Sequence, residues 1–124
     1  MSAVVSANLP YPPSANKLWR FVPGNRTPLK SREYRDWQAA ADRCIVMADR
    51  GLIRGPHRIE IVAFRPDRRA RDIDNLTKPI LDAIKDGKLL KGLIRDDSDT
   101  QKISIEWAPD EPASQGILVT VTAA

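Results

Sequence analysis

The stretch RIEIVAFRPDRRARDIDNLTKPILDAI, residues 58–84, joins a strand pattern to a helix pattern through a segment rich in arginine and aspartate. Its first part, residues 58–65, is rich in β-branched side chains, which predicts a strand. Its last part predicts a helix that fades around residues 86–87, because apolar side chains recur there at helical spacing: Leu76, Ile80, Leu81 and Ile84. Pro79 lies close to the helix start, where a missing backbone N–H costs little. The charged segment is therefore expected to follow a strand end and to precede a helix.

Upstream of this unit, the sequence predicts one strand, one exposed loop and one long helix. Residues 3–9 suit a short strand that ends at a proline-rich turn. Residues 19–30 combine prolines, a glycine and basic side chains, as expected of an exposed loop. Ser31 can cap a helix that ends near Gly51. The apolar side chains of this helix recur at spacings of three and four: Tyr34, Trp37, Ala41, Cys44 and Ala48.

Downstream, two more strands are predicted. Apolar side chains alternate with polar ones at Ile103, Ile105 and Trp107, and residues 116–122 show the same period. The order is then strand, helix, strand, helix, strand, strand, without an internal repeat. It predicts an α+β fold in which helices pack on a mixed sheet. A chain of 124 residues is long enough for one such domain and too short for two.

Arginines cluster in the middle of this basic chain. The net charge is +4 at pH 7, and the cluster comprises Arg54, Arg58, Arg65, Arg68, Arg69 and Arg71. Such an excess points to an anionic partner and favours nucleic acid over a neutral metabolite. A solvated charged face is the alternative explanation, since basic composition is common.

The cysteine count and the hydropathy of the chain indicate the cellular compartment of the protein. Cys44 is the only cysteine, so an internal disulfide and a cage of thiolate ligands are excluded, and the chain fits a reducing cytoplasm. Residues 1–7 lack a basic start and a long apolar core, and no apolar run approaches the roughly 20 residues that cross a bilayer. Neither secretion nor a membrane partner is expected.

Asp72 and Asp74 stand two positions apart in the charged segment. In an extended chain, side chains at i and i+2 point to the same side, so both carboxylates could converge on one hard cation. The neighbouring Arg68, Arg69 and Arg71 would attract phosphates. The alternative is that the two aspartates cap the following helix. The arginines and a second acidic cluster downstream favour a metal site.

That second cluster, RDDSD at residues 95–99, follows the second predicted helix. If its loop returns to the sheet end that carries the first acids, one of its carboxylates completes a site of three acids. Magnesium prefers oxygen ligands and keeps several waters, so such a site, with one ion or two, would serve phosphodiester hydrolysis. Lys78 would stabilise charge that develops at the phosphate. The alternative for Lys78 is a surface ion pair with Asp82, four residues along the helix.

Aromatic and basic side chains alternate in the N-terminal region. They are Tyr11, Lys17, Trp19, Arg20, Phe21 and Arg26. Such a pattern is typical of surfaces on which splayed bases stack, whereas burial in the core is the more frequent role for a tryptophan such as Trp19. His57 has no serine or cysteine nucleophile to pair with, and we expect it at the surface.

Three blocks of the sequence together resemble the RusA-type crossover junction endodeoxyribonucleases of phages and bacterial prophages. They are LPYPPSAN at residues 9–16 with Trp19 following, PDRRARDIDNL at residues 66–76 with Lys78 and Pro79 following, and DDS at residues 96–98. The middle block is highly specific, and the resemblance covers nearly the whole chain. It implies a single endonuclease domain over residues 1–124.

Membership of that family implies an activity and its partners. The family consists of homodimeric resolvases that bind four-way (Holliday) DNA junctions by their structure. They make paired nicks with magnesium or manganese, in recombination and repair. The resemblance therefore implies a homodimer, a branched-DNA partner and a cytoplasmic location for a protein that a bacterium or phage encodes.

Carried over by motif, the resemblance assigns catalytic roles to Asp72, Asp74, Asp97 and Lys78. The three aspartates correspond to the metal ligands, and the lysine corresponds to the essential lysine. Residues 85–95, before the third acid, form a segment a few residues longer than the family pattern. Asp96 and Asp99 therefore stay alternatives to Asp97.

The side chains predicted to contact DNA are Asn16, Lys17, Arg68, Arg69 and Arg71. Two alternatives to a junction nuclease stay open. One is a non-catalytic basic DNA-binding protein whose acids are helix caps, and the other is a nuclease for flapped or otherwise branched DNA. Metal-dependent nicking distinguishes a nuclease from the non-catalytic DNA-binding protein. Local motifs do not distinguish junctions from flaps.

Overall fold

The computed structural model describes residues 3–48, 51–85, 92–109 and 116–124. These ranges hold six strands and two helices: β1 Val4–Leu9, β2 Trp19–Arg20, β3 Leu29–Lys30, α1 Arg32–Ala48, β4 His57–Ala63, α2 Thr77–Ile84, β5 Thr100–Trp107 and β6 Ile117–Ala123. The predicted order of strands and helices is confirmed, with one addition. Residues 19–30, expected as a loop, contain the short antiparallel pair β2–β3, because strands of two residues carry no detectable period.

The four longer strands form one mixed sheet in the order β1-β6-β4-β5. β4 and β5 run parallel, whereas β6 is antiparallel to both β1 and β4. The mixed sheet of the predicted α+β fold is thus confirmed, and its strand order, which the sequence left open, places β4 and β6 at the centre. Alternate residues of β4 are buried, as expected of a strand with one face on the core.

Helix α1 begins as the sequence predicts. Ser31 is its cap, since the Ser31 Oγ accepts a hydrogen bond from the backbone N–H of Tyr34 at 3.0 Å. Gly51, at the predicted end, has a φ of +82°, a conformation that ends helices readily. The buried side chains of α1 are Tyr34, Trp37, Ala41 and Ile45. Cys44 and Ala48 of the predicted face are only partly buried.

Two expectations for aromatic and polar side chains are corrected by the packing. His57 is fully buried, not at the surface, because it shares the inward face of β4 with Ile59 and Ile61. Trp19 is 40% exposed and touches Tyr34 edge-on, with ring centroids 5.9 Å apart, so it covers the core from outside. Phe21 is 83% exposed.

Some predicted features fall outside the described residues. They include most of the loop at residues 108–115 and most of the segment at residues 85–95, where the second helix was expected to fade. Within the described ranges, no helix combines the length and the apolar character that a bilayer crossing demands.

Candidate nucleic-acid and metal site

The charged segment follows a strand end, as predicted. β4 ends at Ala63, and the next backbone N–H, that of Phe64, donates to the carbonyl of Gly116 at 2.9 Å. After residues 66–72 the chain forms a short 3-10 turn, Ile73–Leu76, that leads into α2. Leu76 is buried in the core. The segment is therefore anchored at both ends, and most of its charged side chains are exposed.

Arg71 is held in place from two sides. Its Nη2 lies 2.7 Å from the Asp67 Oδ2, and its guanidinium lies 5.4 Å from the centroid of the Tyr11 ring, a cation–π distance. Asp67 also accepts the backbone N–H of Arg69 at 3.0 Å. Both hydrogen bonds lower the pKa of the Asp67 carboxyl, and the one from the Arg71 side chain has the larger effect. The guanidinium is therefore oriented before any ligand arrives.

Tyr11 belongs to the proline-rich turn after β1, so its contact with Arg71 joins two distant parts of the chain. Burial raises the pKa of the Tyr11 hydroxyl, against the opposing effect of Arg71. The sequence indicates only that Tyr11 is an aromatic residue close to basic ones. Its pairing with Arg71 depends on tertiary contact, for which no local signal exists.

A cleft of about 260 Å³ opens between the proline-rich turn and the charged segment. Its lining consists of Tyr11, Pro13, Ser14, Arg69, Ala70, Arg71, Asp72, Asn75 and Leu76. Cationic side chains, an amide and a carboxylate thus face one space, which suits a phosphate-bearing ligand. Asn16 and Lys17 lie just beyond this wall, exposed in a 3-10 turn. Arg68 is exposed within the charged segment.

Asp72 does not act as a helix cap. It occupies the residue before the 3-10 turn with extended backbone angles, φ −83° and ψ 120°, yet its side chain accepts no capping hydrogen bond. Asp74 lies in the first turn of the same element, and both aspartates are exposed. The capping explanation thus fails for Asp72. Its carboxylate is left to bind another group, such as a metal ion.

The second acidic cluster forms a 3-10 turn, Asp97–Asp99, directly before β5. The Asp96 carboxylate accepts the backbone N–H of Ser98 at 3.1 Å, and this bond lowers the pKa of the Asp96 carboxyl. Asp96 is therefore occupied as a cap. Asp97 is partly exposed and stays the better candidate of that pair.

The two acidic turns join the sheet at different ends. Because β5 runs parallel to β4, Asp97 precedes the start of this strand pair, whereas Asp72 follows its end. The parallel direction of β5 thus differs from the expected return of the second loop to the same sheet end, since a parallel connection must cross back over the sheet. The 3-10 turn that holds Asp74 nonetheless contacts β5.

Among the residues that the structure describes, no group of three or more His, Cys, Asp and Glu side chains is arranged to hold a metal ion. The exposed carboxylates of Asp72 and Asp74 nevertheless offer oxygen ligands, which a hard cation prefers. Magnesium keeps several waters and takes phosphate oxygens, so a partial protein ligand set fits it. Asp72 and Asp74 therefore fit Mg²⁺ as part of a ligand set that water and phosphate oxygens would complete.

Lys78 forms a surface ion pair with Asp82, which is one of the two roles that the sequence predicts for it. Its Nζ lies 3.3 Å from a carboxylate oxygen of Asp82, and its side chain is 75% exposed. Exposed pairs at i, i+4 contribute only about 0.3–0.5 kcal/mol. The ammonium can therefore leave Asp82 for a stronger anion at small cost.

Comparison with known proteins gives one family and several relatives. A family model described as Endodeoxyribonuclease RusA matches residues 10–122. The crossover junction endodeoxyribonuclease RusA of Escherichia coli K12 is 40% identical over 80 residues, which are 64% of this chain and 65% of the relative. Its counterpart from Shigella sonnei is 42% identical over 81 residues, with the same coverage of each chain. The one from Enterobacteria phage 82 is 42% identical over 78 residues, 61% of this chain and 62% of the relative. The chain thus spans a little under two thirds of the length of these relatives.

Proposed function

This chain belongs to the RusA endodeoxyribonuclease family, and on that premise we propose that it is a metal-dependent endonuclease that resolves four-way DNA junctions by paired nicks. The observation that carries the proposal is the exposed Asp72 at a cleft lined by Arg69 and Arg71. The E. coli, Shigella and phage relatives bear the name crossover junction endodeoxyribonuclease, which supports the choice of junctions as substrate.

The basic side chains bind and orient the DNA backbone in this proposal. Arg71, fixed by Asp67 and Tyr11, presents its remaining guanidinium donors to a phosphate, for which planar Arg donors are well suited. Arg68 and Arg69 add positive charge beside it. Asn16 and Lys17, exposed beyond the cleft wall, extend the contact along the strand. Such contacts fix the register of the DNA without reading its sequence.

The carboxylates take the metal in this proposal. Asp72 and Asp74 would hold Mg²⁺, or Mn²⁺ in its place. Because the described acids form no ready-made group of three, binding of the metal and DNA would have to bring Asp97 to them as a third oxygen ligand. A divalent cation there supplies Lewis-acid stabilisation of the charge that develops on a phosphodiester under attack by water. Lys78, released from Asp82, would stabilise the same charge from the helix start.

The proposal includes a homodimer that works on DNA in the bacterial cytoplasm, whether the gene is bacterial or phage-borne. A two-fold dimer presents two equivalent sites. Two such sites match the near two-fold symmetry of a four-way junction and allow opposed strands to be cut in one encounter. The biological role would be recombination and repair.

A second candidate function is DNA binding without catalysis. The absence of a ready-made cluster of metal ligands among the described residues and the pairing of Lys78 with Asp82 favour it. It predicts binding that is independent of divalent ions. Both candidates predict a steep dependence on salt, so only cutting separates them.

The test is incubation of the purified protein with an end-labelled synthetic four-way junction, in magnesium or in chelator. Linear duplex and a flapped duplex serve as substrate controls. Asp72→Asn removes the charge of the proposed ligand, and Asp36→Asn, an exposed aspartate on α1, is the matched control. We expect magnesium-dependent nicks in the junction from the wild type and Asp36→Asn, and none from Asp72→Asn.

Other outcomes have distinct meanings. Cutting of the flap in preference to the junction would correct the substrate, while metal-independent binding without any cutting would favour the second candidate. Full cutting by Asp72→Asn would remove this carboxylate from the site.

A further inference from the structure

The segment at residues 19–30 exposes large apolar side chains that the proposed function does not use. We call this segment the arm; it holds the antiparallel pair β2–β3 and the turn between the two strands. Phe21 is 83% exposed, and Trp19 and Leu29 are about half as exposed. Apolar side chains gathered at one exposed place often mark a binding surface.

The charged side chains of the arm are all positive. They are Arg20, Arg26 and Lys30, and the arm contains no aspartate or glutamate. In the β2–β3 register, Trp19 lies opposite Lys30. Arg20 lies opposite Leu29. Because opposite residues of an antiparallel pair point to the same side, each side of the pair presents one apolar and one cationic side chain. That mixture suits a ligand that has both apolar faces and negative charge.

The two ends of the arm are fixed to the core. At its start, Trp19 touches the buried ring of Tyr34 edge-on. At its end, the Lys30 Nζ lies 5.7 Å from the centroid of the same ring. The next residue, Ser31, donates its backbone N–H to the carbonyl of Leu18 at 2.9 Å. The arm therefore has a defined place on the molecule before any ligand binds.

The helix that holds the arm also holds one wall of the cleft. On α1, the Trp37 ring stacks on Tyr34 with 6.2 Å between the centroids. The Trp37 Nε1 donates to the carbonyl of Pro10 at 2.8 Å, and the residue after Pro10, Tyr11, lines the cleft. Neighbouring aromatic residues of one helix thus fix both the arm and the proline-rich turn.

The arm and the cleft are close enough to contact one DNA strand. Ser14 lines the cleft, and Trp19 is the first residue of the arm, five positions later. Five residues span at most about 18 Å, a length that about five stacked nucleotides cover. A strand whose phosphate lies at Arg71 can therefore reach the arm within a few nucleotides.

The chemistry of the arm selects unstacked bases over other partners. Base pairs hide the faces of their bases in a duplex, whereas a branch point or a single strand exposes them. Aromatic side chains among cations are the pattern with which proteins bind such bases. A second copy of the chain suits the arm less, because cations would face cations across a two-fold contact.

We propose that the arm binds unstacked bases of branched DNA: Phe21 stacks on a base, and Arg20 and Arg26 contact the flanking phosphates. The inference rests on the proposed function for branched DNA as the ligand. It adds a contact that linear duplex cannot make, so the arm favours branched over linear DNA.

The test replaces Phe21, whose exposure means that its loss leaves the core intact. Phe21→Ala removes the ring, Phe21→Leu keeps an apolar side chain without a ring, and Phe21→Trp keeps a ring. Met47→Ala, at an 84% exposed residue of α1, is the matched control. Fluorescence anisotropy in chelator measures the affinity for a labelled four-way junction, for oligothymidine and for linear duplex.

We expect Phe21→Ala and Phe21→Leu to weaken binding to the junction and to oligothymidine about tenfold, the effect of one lost base stack. Binding to linear duplex should change less than about twofold. Phe21→Trp and Met47→Ala should match the wild type on the junction and on duplex. Equal losses on junction and duplex, or full binding by Phe21→Leu, would overturn the inference, because a base stack requires a ring and an exposed base.

Two measurements test other occupants of the arm. Sedimentation with vesicles rich in phosphatidylserine tests a membrane surface, and analytical ultracentrifugation tests a second copy of the chain. We expect the wild type and Phe21→Ala to behave alike in both. Loss of vesicle binding or of self-association in Phe21→Ala, with its DNA affinities unchanged, would overturn the inference.

Nicking of the junction in magnesium separates this inference from the proposed function. A wild type that binds oligothymidine through Phe21 but nicks no branched DNA would overturn the proposed function and support the arm as a site for bases. A wild type that nicks junctions, with binding unchanged in Phe21→Ala, would overturn the inference and leave the proposed function in place.

Discussion

Arg71 is held by Asp67 and by the Tyr11 ring, and the geometry of its guanidinium makes a testable difference. A lysine would keep the charge but could not donate to Asp67 and a phosphate through one planar group. We expect Arg71→Lys to weaken junction binding about tenfold with the salt slope unchanged, the loss of one charged hydrogen bond. Arg71→Gln should weaken binding further and reduce the slope of log K against log salt by about 0.9.

The measurement is fluorescence anisotropy with a labelled junction in chelator, at several salt concentrations. Arg43→Lys and Arg43→Gln, at an exposed arginine of α1, are the controls and should change neither quantity. Equal affinity for the wild type and Arg71→Lys would show that Arg71 acts only as a point charge.

Lys78 and Asp82 form one ion pair but have different expected roles. Because the pair is exposed and weak, neither side chain should matter to the fold. We expect Lys78→Gln to lower the single-turnover nicking rate about 100-fold, the usual cost of one lost charge-stabilising donor. Asp82→Asn should change the rate less than twofold. Equal losses in the two variants would mean that the pair, and not the free ammonium, is what cutting requires.

At the scale of elements, the start of β6 depends on a glycine. Gly116 has a φ of +81°, and an added Cβ would overlap the carbonyl oxygen of Leu9. Gly51 has nearly the same φ, +82°, with open space around it. Replacement of Gly51 by alanine should therefore cost only the conformational strain, about 1–2 kcal/mol.

Gly116→Ala adds both the backbone strain of a positive φ and an overlap with Leu9 of β1. Its free energy of unfolding should therefore fall further than that of Gly51→Ala. Urea denaturation of both variants measures the difference. Similar losses would show that β1 and β6 move apart at little cost.

The elements were predictable where a period extends over several residues. The alternation along β4 even contained the signal for the buried His57, since that residue stands two positions before Ile59 in the inward set. The lack of a nucleophile partner favours the surface for His57, and the alternation along β4 outweighs it. The β2–β3 pair left no such signal because each strand has two residues.

The site was predictable only in part, because the place of its second acidic turn depends on the direction of β5. Asp72 follows a strand end, as its position in sequence indicates. The position of Asp97 depends on β5 running parallel to β4, which is decided by packing of the whole sheet. The ion pair of Arg71 with Asp67 and its contact with Tyr11 both lie in loops, where no helical spacing rule applies, so neither was predictable from sequence.

For the molecule as a whole, the proposed function requires two equivalent sites that cut one junction together. The charged segment and the cleft beside it supply one proposed site in each chain. Paired nicks therefore require a second copy of the chain, related by two-fold symmetry. Cutting by independent monomers would instead give isolated nicks.

The most direct measurement uses a supercoiled plasmid that extrudes a cruciform, incubated with the purified protein in magnesium and in chelator. One nick relaxes the plasmid and destroys the cruciform, so only two nicks in the same encounter yield linear DNA. We expect linear plasmid as the main early product, in magnesium only, and none with Asp72→Asn. Nicked circles as the main product, or no cutting at all, would contradict this expectation.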